Sequence, residues 1–441
     1  MSLDNLSFKG GHHMHDYKEI SANCPLEPGP IPEIVEISLH QHIGAPCLPL
    51  VKKGDSVKMG QKIGEAKATI SAPVHSSVSG TVLEVKDVVT VSGFKAKAVV
   101  VENDGKDELG YEPTDLDYTS LSPETIVEKV REAGVVGLGG AGFPTSVKLS
   151  KGPNDVIEEI IINGAECEPY LTSDQVSMEA YPDKVVKGLQ IAMFAMGANK
   201  GYIGIEDNKP NAIDAVKKAC ENVKNIEVAV LKTKYPQGDQ KRIIEAITGK
   251  VTPSGAHATE VGCQVFNAST AIAITDAVIY GKPLYEKVVT MTGAALQTPK
   301  NILVRIGTPL EELLAFSDGF KEEPGKIIIG GPMMGESQYQ IDSPSVKTMG
   351  GVIALTKKEA QEKEETPCIK CGACVRVCPV YLEPIYLQSY SLNYMLEEAE
   401  QNHIMDCIEC GTCSYICPAN QPLIESIRNG KRLLRATQKS S

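Results

Sequence analysis

The rhythm of apolar and polar residues changes several times along the chain. Val35-Glu36-Ile37-Ser38-Leu39 alternates with the two-residue period of a half-buried strand. Short apolar pieces punctuated by glycine follow: Val51, Val57 and Ile63 around Gly54, Gly60 and Gly64, then Ala72-Pro73-Val74 and Thr81-Val82-Leu83-Glu84-Val85. From Pro123 to Ala133 the period lengthens to that of a helix (Ile126, Val127, Val130), with Ser122 placed to cap it and Pro123 at its first position. Strands and helices are then predicted in alternation: 160–162, 182–196, 202–205, 211–223, 228–231 and 239–247. Two apolar runs, 288–293 and 326–331, flank a short helix at 310–315. A charged stretch, 357–365, follows, and 386–403 reads as helix. The first thirty residues are polar, with Pro25, Pro28 and Pro30, and Pro32 just beyond, and read as a solvated arm.

The expectation is a multidomain chain of mixed α/β and α+β class: an arm over 1–30, a barrel over 31–115, an α/β domain over 120–285, a small β-grasp-like module over 286–345, a linker over 346–366 and a final domain over 367–441. The barrel segment resembles the barrel-sandwich hybrid of lipoyl carrier domains. Lys67 is the nearest candidate for a modified lysine, yet 60–72 is short for the extra hairpin, so the segment reads as an unmodified scaffold.

Composition narrows the chemistry. The 441 residues carry a formal charge of −12 and no tryptophan, which disfavours a nucleic-acid partner. No run reaches the roughly 18–20 apolar residues of a membrane helix. Of thirteen cysteines, Cys24, Cys47, Cys167, Cys220 and Cys263 are scattered and eight fall between Cys368 and Cys417, a clustering that points to metal in a reducing compartment.

Those eight form one pattern written twice, C-x2-C-x2-C-x3-C-P, at Cys368, Cys371, Cys374, Cys378 and at Cys407, Cys410, Cys413, Cys417. Three thiolates so spaced can wrap one face of an iron-sulfur cube, and in two-cluster modules the fourth serves the opposite cube. Cys368, Cys371, Cys374 and Cys417 are therefore assigned to one [4Fe–4S] cluster, and Cys378, Cys407, Cys410 and Cys413 to the other. Zinc is the alternative, but its sites do not require the third cysteine or the Cys-Pro pair. The long helical spacer resembles the helical ferredoxin module of multi-subunit oxidoreductases.

Gly137-Leu138-Gly139-Gly140-Ala141-Gly142 satisfies G-x-G-x-x-G, but a helix precedes it and Phe143-Pro144-Thr145 follows, so the ordinary dinucleotide turn fails its context. The stretch resembles the flavin loop of the NADH-oxidising subunit of respiratory complex I, as does Asn163-Gly164-Ala165-Glu166-Cys167-Glu168-Pro169 downstream. Tyr235-Pro236-Gln237-Gly238 and Phe266-Asn267-Ala268 match later family segments more loosely. The resemblance implies bound FMN and a site for NAD(H): Gly137, Gly139, Gly140 and Gly142 as backbone cradle, Phe143 over the nicotinamide, Lys148 toward phosphate, Asn163 and Asn267 on flavin heteroatoms, and Glu166 and Glu168 beside NADH. Hydride passes directly between cofactors, so no acid or base is assigned. The family aspartate is Ala165 here.

The order of these segments resembles the C subunit of the Rnf ion-translocating electron transport complex over nearly the whole chain. Phe8-Lys9-Gly10-Gly11-His12 and Gln41-His42-Ile43-Gly44-Ala45-Pro46 also fit that family. It implies a peripheral subunit at the cytoplasmic face of the cell membrane, working with membrane-bound and iron-sulfur subunits and indirectly with ferredoxin, in a machine that moves Na+ or H+. The alternatives are a non-catalytic iron-sulfur adaptor, or the flavin subunit of a soluble NAD-linked hydrogenase or formate dehydrogenase. Arg428, Lys431, Arg432, Arg435 and Lys439 make the tail basic, read as a solvated helix, and Cys167 reads as a packing residue.

Overall fold

A computed structural model describes residues 3–152 and 155–440. The alternation at 35–39 becomes the strand Ile34–Ser38, which pairs antiparallel with Lys95–Asn103; Val35 and Ile37 meet Val101 and Val99 and are fully buried. With Gly80–Val89 and Ser56–Val57 these form one sheet of the barrel-sandwich domain, and Leu48–Pro49, Lys62–Glu65 and Val74–His75 form the facing one. Lys67 is exposed in the connection from Lys62–Glu65 to Val74–His75, which carries no strand of its own.

The α/β domain is built on a parallel four-stranded sheet in the order Ile226–Leu231, Lys200–Glu206, Glu159–Gly164, Cys263–Asn267. The strands are near-continuous apolar runs because helices cover them. Ser122 Oγ caps Pro123–Glu132 by accepting from Thr125 N (3.2 Å). Chain order matters here: the first strand, Glu159–Gly164, has the second on one side and the last on the other. The strand order therefore switches between Glu159–Gly164 and Cys263–Asn267, and the carboxyl ends of these two strands are where a parallel open sheet offers a crevice.

The β-grasp-like module is larger than expected. Gly351–Leu355, inside the supposed linker, is an inner strand between Glu286–Thr292 and Lys326–Ile329, and Val346 and Met349 join the module's core. A glycine pair before a short apolar run resembles a linker in sequence; buried on both faces, it is a central strand.

The first thirty residues are not a solvated arm. Leu6 bridges Leu231, His12 bridges Tyr235, and Leu26–Pro28 adds a parallel edge strand beside Lys300–Arg305. Phe8, Met14, Lys18 and Ser21 are buried. The segment is a strap satisfied by the unpaired edges of two sheets, an interaction its own polar composition does not reveal.

In the cysteine-rich domain the expected single helix is two, Pro384–Leu392 and Leu396–Gln401, broken near Tyr394, whose φ is 56°. The terminal helix Leu423–Ser440 is not simply solvated. Ile424, Ile427 and Leu434 are buried, and Lys431 is 5% exposed, donating to Cys407 O (2.6 Å) and pairing with Glu409 (2.6 Å). The side chain of Lys439 lies outside the described residues.

Candidate functional site

The crevice at this switch in strand order is where an open α/β sheet binds ligands, and the sequence places amides there. Asn163 and Asn267 end the two adjacent strands in register with each other. Asn163 Nδ2 donates to Gly238 O (2.7 Å), and Asn267 Oδ1 caps the helix Ala268–Val278 by accepting from Thr270 N (3.2 Å). The glycine loop leans over the same edge. Its neck is closed by Gly137 N donating to Phe143 O (2.8 Å), while Leu138 N donates to Thr270 Oγ1 (2.9 Å).

The loop has two faces. Leu138 and Gly142 are buried, whereas Gly139, Gly140 and Ala141 are exposed. A Cβ on Gly139 would lie 2.7 Å from Asn267 Nδ2, and one on Gly140 would meet nothing within 4 Å. At Gly142, φ is +68° and a Cβ would press on Thr348 and His42, so the loop's far end is wedged against two other domains. Phe143 is half-buried at the neck.

Lys148 is turned to the strand Cys263–Asn267. Its Nζ donates to Val265 O (2.5 Å) and lies 5.4 Å from the Phe266 ring centroid, and burial lowers its pKa to about 8. With one carbonyl partner, the ammonium keeps donors for an anion.

The two acids take different places. Glu166, at φ 45°, accepts from Asp174 N (2.7 Å), Gln175 N (3.1 Å) and Ser173 Oγ (3.2 Å), so its carboxylate caps the helix Ser173–Ala180. Glu168 points toward the β-grasp-like module: Oε2 accepts from Met333 N (3.0 Å), and Oε1 is enclosed with no hydrogen-bond partner among the described residues. Desolvation raises its pKa to about 7. Ala165 is fully buried among Ile161, Ala229 and Leu231, so the position where the family has aspartate is a core contact in this chain.

Sequence reasoning missed Asp174 and Lys287, which bear on this loop from below. Asp174 accepts from Asn267 Nδ2 (2.6 Å) and Ser269 Oγ (2.6 Å), and Lys287 Nζ donates to Leu138 O (2.7 Å). Ser173-Asp174 opening a helix was the only local signal for the first; Lys287 left none, its partner being a backbone carbonyl far away in sequence.

A buried ion pair braces the domain. Glu206 and Lys209 are 1% and 0% exposed with Nζ–Oε2 at 3.2 Å; Lys209 also donates to Asn208 Oδ1, and Asn208 Nδ2 to Asp16 of the strap. Lys209→Met is expected to lower stability by about 3–5 kcal/mol because Glu206 is left buried without its cation. Adding Glu206→Gln should recover part of that loss, read as urea midpoints of the three proteins.

The cysteines converge across the two runs. Cys378, from the first, lines one enclosed, mostly apolar cavity with Cys407, Cys410 and Cys413 from the second, among Leu382, Leu387 and Ile424. Cys374 and Cys417 pack together beside Leu423 and Ile424, while Cys368 and Cys371 are exposed next to Ile369. The domain docks through its enclosed end. Tyr235 OH donates to Cys410 O (2.9 Å), Gly11 N of the strap donates to Val377 O (2.9 Å), and Met14, Tyr235, Cys167 and Met333 pack around Cys410. Cys167, its thiol pushed well up by burial, fills this wall between crevice and cavity and accepts from Gly238 N (3.3 Å).

Comparison with known proteins follows the same divisions. Residues 6–106 match the RnfC barrel sandwich hybrid domain, 130–276 the Nuo51 FMN-binding domain, 288–337 the SLBB domain and 364–421 the 4Fe-4S dicluster domain. The chain is 46% identical over 435 residues to the C subunit of the Na(+)-translocating ferredoxin:NAD(+) oxidoreductase complex of Acetobacterium woodii, covering 98% of each. The chain belongs to this family of C subunits. The proton-translocating counterpart of Clostridium ljungdahlii is 47% identical over 393 residues (89% of this chain, 86% of that one). That of the ion-translocating oxidoreductase complex of Rhodobacter capsulatus is 40% identical over 432 residues (97% and 83%). Among solved structures, an NAD+-reducing [NiFe]-hydrogenase is 17% identical with a TM-score of 0.49, covering 71% of this chain and 61% of that one.

The complexes these relatives are named for are oxidoreductases, and this chain carries the family's flavin and two-cluster domains. Its residues fit both groups. Open space above Gly140, donors left on Lys148 and the capped start of Ala268–Val278 suit a flavin nucleotide; four thiols around one enclosed apolar cavity suit an iron-sulfur cube. No helix among the described residues is long and apolar enough to cross a membrane.

Proposed function

We propose that this chain is the peripheral, NAD(H)-facing subunit of an ion-translocating NADH/ferredoxin oxidoreductase at the cytoplasmic face of the cell membrane. It exchanges electrons with NAD(H) at the crevice and relays them singly to membrane-bound and iron-sulfur partner subunits, in support of Na+ or H+ transport. The observation that carries this reading is the single wall, made of Cys167, Tyr235 and Met333, that adjoins both the strand-end crevice and the enclosed cysteine cavity.

FMN, when bound, supplies the conversion between a two-electron hydride and single electrons. The chain's residues provide the rest. Gly139 and Gly140 leave the backbone open to the nucleotide, Asn163 braces Gly238 and Asn267 caps the helix Ala268–Val278 beside the loop, and Lys148 offsets phosphate charge. Cys378, Cys407, Cys410 and Cys413 ligate the cluster next to the wall, and Cys368, Cys371, Cys374 and Cys417 the outer one. The exposed Cys368–Cys371 loop with Ile369 is then the surface where a partner's redox centre docks, and with reduced ferredoxin as the ultimate donor the path runs in reverse.

Purified chain reconstituted with FMN is expected to hold one flavin and about eight irons, and anaerobic NADH should bleach the flavin and then the cluster absorbance. Protein with full iron that neither binds FMN nor supports NADH-dependent dye reduction overturns the proposal and leaves the adaptor reading.

A further inference from the structure

The crevice is completed from outside the α/β domain. Lys287 lies on Glu286–Thr292 of the β-grasp-like module, beyond the segment that matches the FMN-binding family. It is 7% exposed, and its Nζ donates to Leu138 O. The Leu138–Gly139 peptide is trans, so with its carbonyl turned in to Lys287 its N–H points the opposite way, away from that buried lysine, and Gly139, Gly140 and Ala141 are exposed. A desolvated cation on a peptide oxygen polarises that peptide and strengthens its N–H as a donor.

The opposing charge is also in place. Asp174, buried beneath the same loop, holds Asn267 Nδ2 and Ser269 Oγ, and Gly139 rests on that Asn267 amide. Burial depresses Lys287 to about 8 even with Asp174 and Glu166 nearby. A methionine of similar length would fill the space without that cost, so core packing does not account for the charge.

We propose that Lys287 is a positioning residue for the flavin: through the Leu138 carbonyl it holds and polarises the Gly139 amide toward an electron-rich acceptor on FMN, while Asp174 fixes the facing Asn267. The inference rests on the reading of the crevice as the FMN site. The acceptor is an oxygen of the phosphate or a heteroatom of the isoalloxazine ring.

The test uses the full chain with its clusters. Flavin affinity of parent, Lys287→Met and Lys287→Arg is measured for FMN and for riboflavin, and the flavin midpoint potential by spectroelectrochemistry. Lys287→Met should weaken FMN about tenfold or more, and Lys287→Arg should restore it to within about threefold. A phosphate acceptor leaves riboflavin affinity unchanged; a ring acceptor weakens both and moves the midpoint negative. Either pattern supports the proposal. Lys287→Met with FMN affinity within about twofold of the parent and the same midpoint overturns it, as does Lys287→Arg behaving no better than Lys287→Met. If Lys287→Met does not fold, Lys287→Gln, which removes the cation and leaves Asp174 and its hold on Asn267 intact, takes its place and is read by the same thresholds. Failure of the parent to bind FMN would instead refute the functional reading on which the lysine's role depends.

Discussion

Replacing Cys378 by alanine is expected to empty the same iron-sulfur site as replacing Cys410, although the two belong to different cysteine runs. The reason is the shared cavity, which Cys378 lines with Cys407, Cys410 and Cys413. Each single variant should lose about half of the iron, since a cube missing one of four thiolates is not retained. Combining Cys378→Ala with Cys410→Ala should cost no more than either alone. Combining Cys378→Ala with Cys417→Ala should remove nearly all iron, because these two lie at different sites. Iron and sulfide analysis with low-temperature EPR of the reduced proteins reads this directly. If Cys378→Ala and Cys410→Ala delete different EPR signals, the crossed ligation is wrong. The enclosed end of the domain also docks on Tyr235 and the strap, so the Cys410 variant should loosen that contact as well.

The second large effect is expected in the glycine loop. Gly139→Ala places a methyl 2.7 Å from Asn267 Nδ2, an amide already held by Asp174, so the loop must move away from the strand end. Gly140→Ala meets nothing within 4 Å and should leave the apo-protein's melting temperature unchanged. Both should weaken FMN by at least about tenfold, or roughly 1.4 kcal/mol, the first by shifting the cradle and the second by standing in the nucleotide's approach. Iron content should be unaffected in each. Fluorescence titration with FMN decides the matter: parental affinity in Gly140→Ala would mean that the cofactor does not approach the exposed face of this loop.

How much of this was legible in the sequence depends on how local each feature is. The doubled cysteine pattern is local, and its spacing, with the crossed arrangement of two-cluster modules, named Cys378, Cys407, Cys410 and Cys413 together, the four that line one cavity. The alternating strands and helices of the α/β domain were legible because each carries its own period. The strap was not. Leu26–Pro28 is a strand only because Asn301–Leu303 presents an open edge to it, and nothing in a proline-rich polar stretch encodes that partner. Gly351–Leu355 was lost in the same way, its character as an inner strand depending on neighbours on both sides. Among site residues, Glu166 was singled out by motif, but its role as a helix cap follows from the turn that swings it back onto Ser173–Ala180. Lys287 and Asp174 stood outside every pattern. Their significance is set by a backbone oxygen and an amide that only the folded chain brings near.

The strap also has a consequence for the order in which the molecule is made. Residues 6–12 and 26–28 are synthesised well before their partners Leu231, Tyr235, Val377 and Asn301–Leu303. The strap therefore stays without these partners while the barrel-sandwich domain is made behind it. Its contact with Val377 can form only after the first cysteine run has emerged, so the strap is sealed in steps, first on the α/β and β-grasp-like sheets and then against the cysteine-rich domain.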